Sequence, residues 1–152
     1  PEEAFLGGQA TLQSIADAQV ELWQPMFTDK QIEFQCAVAE TPKETLYNAT
    51  FLRTVFSNLL RNALHYTEHG KVKLTLYTDH FTVEDTGIGI PENFQESIFE
   101  PFVRGHNARG EGLGLGLSLV RRICTHQGWT IEVSTHSPHG SCFSVFLKPK
   151  KQ

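Results

Sequence analysis

A glycine-rich segment near the end of the chain has the composition and placement of a phosphate-binding turn. In residues 112–120 (GLGLGLSLV), three glycines alternate with leucines at the point where an apolar helical pattern begins. The first amide N–H groups of a helix lack partners within the helix, and the macrodipole adds partial positive charge there, so a phosphate is favoured. The spacing differs from the dinucleotide fingerprint and from the Walker loop, which needs a following Gly-Lys-Ser or Gly-Lys-Thr. The pattern predicts a phosphate site of another kind.

Two asparagines, Asn58 and Asn62, stand four residues apart on one side of the most strongly apolar helical segment. Asparagine is a poor helix former because its side chain competes for backbone hydrogen bonds, so a pair in mid-helix needs another reason. One interpretation is a solvated polar face. The other is an amide oxygen directed at a hard cation, because Mg²⁺ takes oxygen ligands and keeps substrate phosphates in its shell. The helix alone leaves both open.

A carboxylate followed by two glycines, in residues 85–89 (DTGIG), lies at the end of a predicted strand. Glycine lets the main chain approach a ligand closely, and a carboxylate there could accept a hydrogen bond from the exocyclic amine of a planar base. Aspartate and glycine are also the usual residues of turns. Taken alone the segment favours a plain turn, and it becomes informative only together with the other motifs.

Four motifs, in this order along the chain, resemble those of the ATP-binding catalytic domain of sensor histidine kinases. They are 58–67 (N box), 85–91 (G1 box), 99–104 (F box) and 112–120 (G2 box). The resemblance covers nearly the whole chain and implies the Bergerat ATP-binding fold of the GHKL superfamily. This is a two-layer α/β (α+β) sandwich, with helices on one face of a mixed, mostly antiparallel sheet and a mobile ATP lid at about 101–113. Residues 1–152 would form one such domain.

The resemblance also implies the roles of individual residues. Asp85 would accept from the adenine amine, Asn62 would ligate Mg²⁺ and count as catalytic, and Asn58 would contact the phosphates. Arg104 or Arg109 would reach the γ-phosphate. Phe99 and Phe102 would couple the lid to the core. The other residues implied to contact the nucleotide are His65, Tyr66, Gly87, Gly89, Ile90, Phe102, Gly112, Leu113, Gly114, Leu115 and Gly116.

The function implied is to hold Mg-ATP and donate its γ-phosphate to a histidine on a separate dimerisation domain, with a response regulator receiver domain as a further partner. None of the chain's seven histidines lies in the family's phosphoacceptor context, so the chain alone is not expected to autophosphorylate. The family often has lysine in place of His65, which makes positive charge near the phosphates pH-dependent. Three alternatives stay open: a non-catalytic ATP sensor, an ATPase clamp, and an anti-sigma serine kinase.

Apolar periodicity predicts the elements that would position these residues. Helices are predicted at 11–27, 49–66 and 113–127, a short helical turn at 94–99, and strands at 32–38, 71–77, 80–84, 130–134 and 141–147. The polar segment 104–112 has no apolar period, which predicts a mobile loop.

Bulk composition restricts the partners. A net charge of −4, with lysines clustered only at the C-terminus, argues against DNA or RNA. Three widely spaced cysteines indicate neither disulfides nor zinc and fit a reducing cytoplasm. No apolar run is long enough to span a bilayer, so we expect a cytoplasmic domain that makes no direct membrane contact, with any membrane anchor of the parent kinase outside this chain.

Overall fold

In the computed structural model, which describes residues 8–87, 97–99, 113–135 and 140–147, three helices cover one face of a five-stranded sheet. The helices are α1 (Leu12–Asp29), α2 (Ala49–Tyr66) and α3 (Leu113–Gln127). The strands are β1 (Gln9–Thr11), β2 (Glu33–Val38), β3 (Leu46–Asn48), β4 (Lys71–Leu76), β5 (His80–Asp85), β6 (Thr130–Thr135) and β7 (Ser141–Phe146), and a 3₁₀ turn covers Ser97–Phe99.

The large sheet has the strand order β2-β4-β5-β7-β6. The β2–β4 pair is parallel and the other three pairs are antiparallel, which confirms the mixed, mostly antiparallel sheet. Alternate residues of each strand face the helices, because successive side chains of a strand point to opposite faces. The helix-facing positions of the inner strands are buried apolar residues, except at one end of the sheet, where Asp85 of β5 and its register partner Ser141 of β7 take such positions.

Stacked aromatic rings join the helices to the sheet. Phe56 of α2 lies on Phe81 of β5 with ring centroids 4.0 Å apart, and Phe27 of α1 lies on Phe34 of β2 at 4.5 Å. Burial of each such ring contributes about 2 kcal/mol to folding. These contacts fix α2 directly above β5, the strand that carries Asp85.

The starts of α1 and α2 are held side by side by a small second sheet. β1 pairs with β3 in antiparallel fashion, and the residues that end these strands, Thr11 and Asn48, are the N-caps of α1 and α2. Asn48 Oδ1 accepts from the Phe51 amide at 2.9 Å, and Thr11 Oγ1 accepts from the Ser14 amide at 3.2 Å. The sequence did not predict this sheet, because strands of three residues are too short to show a period.

The other predicted elements agree with the structure within about two residues at each end. α2 and α3 have the predicted bounds, and β5 extends one residue beyond its predicted end to include Asp85. The helical turn predicted at 94–99 is a 3₁₀ turn at Ser97–Phe99, and the rest of it lies outside the described residues. The predicted lid at 101–113 also lies outside them, apart from Leu113. Within the described part of the chain, no helix has the length and apolar character needed to cross a membrane.

Candidate functional site

Asp85 is a buried carboxylate with a defined orientation, only 7% exposed. Its Oδ2 accepts a hydrogen bond from Ser141 Oγ at 2.7 Å, and its Oδ1 accepts from the Gly87 amide at 2.9 Å. The antiparallel register places Asp85 opposite Ser141, the first residue of β7, which explains the first bond. These two bonds fix the direction of the carboxylate.

Gly87 lies where the loop after β5 meets the end of α2. A Cβ atom at this position would lie 2.5 Å from the backbone oxygen of Tyr66 and 3.1 Å from Asp85 Oδ1. Any side chain would therefore force the backbones of α2 and the loop apart, or displace the carboxylate. Glycine at 87 allows the end of α2 to pack directly on the loop that orients Asp85.

Asn58 and Asn62 are buried, at 9% and 3% exposure, which rules out a solvated polar face. Asn62 Oδ1 is inaccessible and has no hydrogen-bond partner in the part of the chain that the structure describes. A buried oxygen without a hydrogen-bond partner costs about 1–3 kcal/mol of folding free energy. A bound cation would offset that cost. The amide fits the chemistry of a Mg²⁺ ligand, since Mg²⁺ takes oxygen donors.

The first turn of α3 lies against α2 at Gly116. A Cβ atom there would lie 2.7 Å from Asn58 Oδ1, and Asn58 Nδ2 is itself fixed by donating to the Thr54 carbonyl at 2.8 Å. The G2 segment thus enters its helix beside the Asn58 amide. Leu113, Gly114 and Leu115 form the helical backbone just before this point.

The structure arranges these residues along α2 in two groups. Asp85, Gly87 and Tyr66 lie at its C-terminal end, and Asn58 and Gly116 lie about 12 Å away along the helix axis. Asn62 lies between them, one turn before Tyr66. The His65 ring packs edge-on against Tyr66 with centroids 5.4 Å apart. The remaining predicted site residues lie outside the described ones: Gly89, Ile90, Phe102, Arg104, Arg109 and Gly112.

Ser141 was not among the predicted site residues, although it donates to Asp85. Its signal in the sequence is weak, because serine after glycine at the start of a strand is common. Gly140 has φ +112°, and a Cβ there would lie 2.3 Å from the Asp85 carbonyl oxygen, so this turn needs glycine. The sequence signal that could have identified Ser141 is the pair Gly140-Ser141 at the start of the strand that pairs with Asp85.

A family model and individual relatives were compared with this chain, and both indicate the same family. Residues 47–151 match the family described as histidine kinase-, DNA gyrase B- and HSP90-like ATPases. The aerobic respiration control sensor protein ArcB of Escherichia coli K12 is 33% identical over 115 residues, which cover 70% of this chain and 15% of ArcB. The adaptive-response sensory kinase SasA of Microcystis aeruginosa is 35% identical over 144 residues, which cover 90% of this chain and 37% of SasA.

A solved structure shows the same fold. Full-length ShkA in complex with AMPPNP superposes with a TM-score of 0.80 at 28% identity, over 98% of this chain and 35% of ShkA. The chain thus spans a small part of each of these relatives, from 15% of ArcB to 37% of SasA.

Proposed function

Because this chain belongs to the family of histidine kinase-, DNA gyrase B- and HSP90-like ATPases, and its relatives are sensor histidine kinases, we propose that it binds Mg-ATP and donates the γ-phosphate to a histidine on a separate dimerisation domain. The observation that carries this proposal is the buried Asn62 oxygen without a partner, one helical turn from the contact between Tyr66 and Gly87. A bound cation would offset the free-energy cost of burying this oxygen without a partner.

The base end of the proposed site is Asp85. Its carboxylate would accept from the exocyclic amine of adenine, in the direction that the Gly87 amide gives it. Guanine has a carbonyl at the equivalent edge, which would face the carboxylate acceptor to acceptor. A site that is built to bind one polar group can reject an analogue that lacks it by about ten-thousandfold. Adenine nucleotides are therefore the proposed ligands.

The phosphate end would comprise Asn58, Asn62 and the amides of Gly112, Gly114 and Gly116 at the start of α3. Asn62 would hold Mg²⁺, which when bound neutralises charge on the phosphates. Arg104 or Arg109 would approach the γ-phosphate. Phosphoryl transfer depends on positioning and charge stabilisation more than on covalent chemistry by the protein, so this set of residues suffices for the donor side.

The acceptor side would come from other domains. We propose that the phosphoacceptor histidine lies on the dimerisation domain of the same parent kinase, that a receiver domain takes the phosphate onward, and that the domain works in the cytoplasm. The names of the relatives, which are sensory and respiration-control proteins, support a signalling context.

Nucleotide titration followed by phosphotransfer tests the proposal. Calorimetry should show ATP binding strengthened by Mg²⁺, with GTP far weaker; equal affinities for ATP and GTP would contradict the role of Asp85. Asn62→Ala should abolish the Mg²⁺ effect while adenosine binding, which involves no phosphate, stays constant and serves as the internal control. With γ-labelled ATP and an added dimerisation domain, label should appear on its histidine.

A second candidate is an ATP sensor that transfers no phosphate, which is favoured by His65 at the position where the family often carries lysine. His65 lies one turn beyond Asn62 on the same side of α2. Lysine at this position would add a permanent positive charge near the phosphates. Phosphotransfer that appears only in His65→Lys would support the sensor.

A further inference from the structure

Lys30 makes a long-range contact with the last turn of α2. Its Nζ donates to the carbonyl oxygen of Leu64 at 2.6 Å and to that of His65 at 3.3 Å. Within the described residues its ammonium forms hydrogen bonds with these two carbonyl oxygens and pairs with no carboxylate. The last carbonyls of a helix lack partners in the helix and carry partial negative charge, so a cation stabilises them.

An unusual turn brings Lys30 to this place. Lys30 is the C-cap residue of α1, its amide donates to the Met26 carbonyl, and Gln31 follows with φ +65°. A residue other than glycine is disfavoured in this left-handed region and persists only where the surroundings fix it. The chain then enters β2, with the Glu33 amide donating to the Gly70 carbonyl at 3.1 Å, just beyond α2.

A short series of contacts connects Lys30 to the proposed base-binding carboxylate. The carbonyls that Lys30 holds belong to the two residues before Tyr66, and the Tyr66 carbonyl oxygen lies against Gly87 so closely that no Cβ would fit. The Gly87 amide donates to Asp85 Oδ1. A shift of the last turn of α2 would therefore move the amide that orients Asp85.

We propose that Lys30 is a positioning residue for Asp85: its ammonium group fixes the last turn of α2, and through Tyr66 and Gly87 it fixes the direction of the carboxylate that binds the adenine amine. The inference rests on the proposed function, because it concerns the same site. It adds a residue distant in sequence from all four nucleotide-binding motifs, and it makes the affinity for the base depend on the turn between α1 and β2.

The test compares ATP with purine riboside 5′-triphosphate, which lacks only the exocyclic amine. The ratio of their dissociation constants measures the hydrogen bond to Asp85. Loss of fold stability lowers both affinities equally and leaves the ratio unchanged. In Lys30→Met the ratio should fall about tenfold, within the range typical of couplings between sites. Lys30→Arg keeps a cation with several donors and should retain the ratio within about threefold of wild type.

Lys43→Met is the matched control. It removes a lysine whose Nζ lies 4.0 Å from Asp79, just before β5 and at the opposite end of that strand from Asp85. Its ratio should equal that of wild type. If Lys30→Met is too unstable to purify folded, Lys30→Gln replaces it, and its ratio should also fall.

An unchanged ratio in Lys30→Met or Lys30→Gln, or an equal fall in Lys43→Met, would overturn the inference. A wild-type protein that binds ATP and the analogue equally would instead refute the proposed role of Asp85. The two failures are therefore distinguishable.

Discussion

Gly116→Ala should separate the stability of the domain from its nucleotide affinity. The added Cβ would lie 2.7 Å from Asn58 Oδ1 and 3.6 Å from Asn58 Cγ, and the first distance is shorter than Cβ contacts in real proteins. The Asn58 amide must therefore turn away. Because Asn58 Nδ2 donates to the Thr54 carbonyl at 2.8 Å, that movement strains or breaks this hydrogen bond.

Two opposing terms set the effect on stability. Replacing glycine by alanine inside a helix favours folding by about 1 kcal/mol. Losing the hydrogen bond of Asn58 costs about 1 kcal/mol. The free energy of unfolding of Gly116→Ala should therefore stay within about 1 kcal/mol of wild type. ATP affinity should fall about tenfold, because Asn58 would leave its proposed place beside the phosphates.

Urea denaturation of four proteins tests this reasoning: wild type, Gly116→Ala, Asn58→Ala and the double variant. In the Asn58→Ala background the clash is absent, so Gly116→Ala should stabilise the protein by the full helix term of about 1 kcal/mol. Equal effects of Gly116→Ala in the two backgrounds would refute the clash. Unchanged ATP affinity in Gly116→Ala would refute the role of Asn58.

Three further predictions concern single side chains. Ser141→Ala removes the hydroxyl that donates to Asp85 Oδ2, so ATP affinity measured by calorimetry should fall about tenfold; an unchanged value would contradict a role for Ser141 in orienting the carboxylate. Gln19 Oε1 accepts from Trp23 Nε1 at 3.0 Å in the core, so Gln19→Leu should lower the free energy of unfolding by about 1–3 kcal/mol in urea titrations, and a neutral effect would contradict this. Burial raises the pKa of the Cys124 thiol to about 12, so at pH 8 about one thiol in ten thousand is ionised. Iodoacetamide should therefore leave Cys124 unmodified in the native protein, as judged by peptide mass mapping. Rapid labelling of Cys124 would contradict its burial.

Local patterns account for what the sequence predicted well. The apolar stripe of α2 and the glycine-to-leucine start of α3 are periodic over several turns, and both helices have the predicted bounds. The short strands β1 and β3 offer no such period and were missed. The burial of Asn58 and Asn62 was also beyond local reasoning, because it depends on how α3 packs against α2.

The sequence did not predict Ser141 and Lys30, because both reach their partners through long-range contacts. Ser141 meets Asp85 only through the register of β5 with β7, 56 residues apart in sequence. Lys30 contacts the Leu64 carbonyl, 34 residues away in sequence, because the backbone of Gln31 adopts a left-handed conformation. The sequence gives no sign of that conformation, since glycine is the residue that usually adopts it. Such partners follow from topology, which motif spacing does not specify.

The most direct measurement of the central claim is calorimetric titration of ATP, with Mg²⁺, into wild type and Asp85→Asn. Asparagine keeps one acceptor oxygen, replaces the other with an NH₂ donor and loses the negative charge, so affinity for ATP should fall at least about a hundredfold while the fold, judged by circular dichroism, is retained. Absence of heat with wild type, or equal ATP affinity in the folded Asp85→Asn variant, would contradict an adenine site at the end of β5.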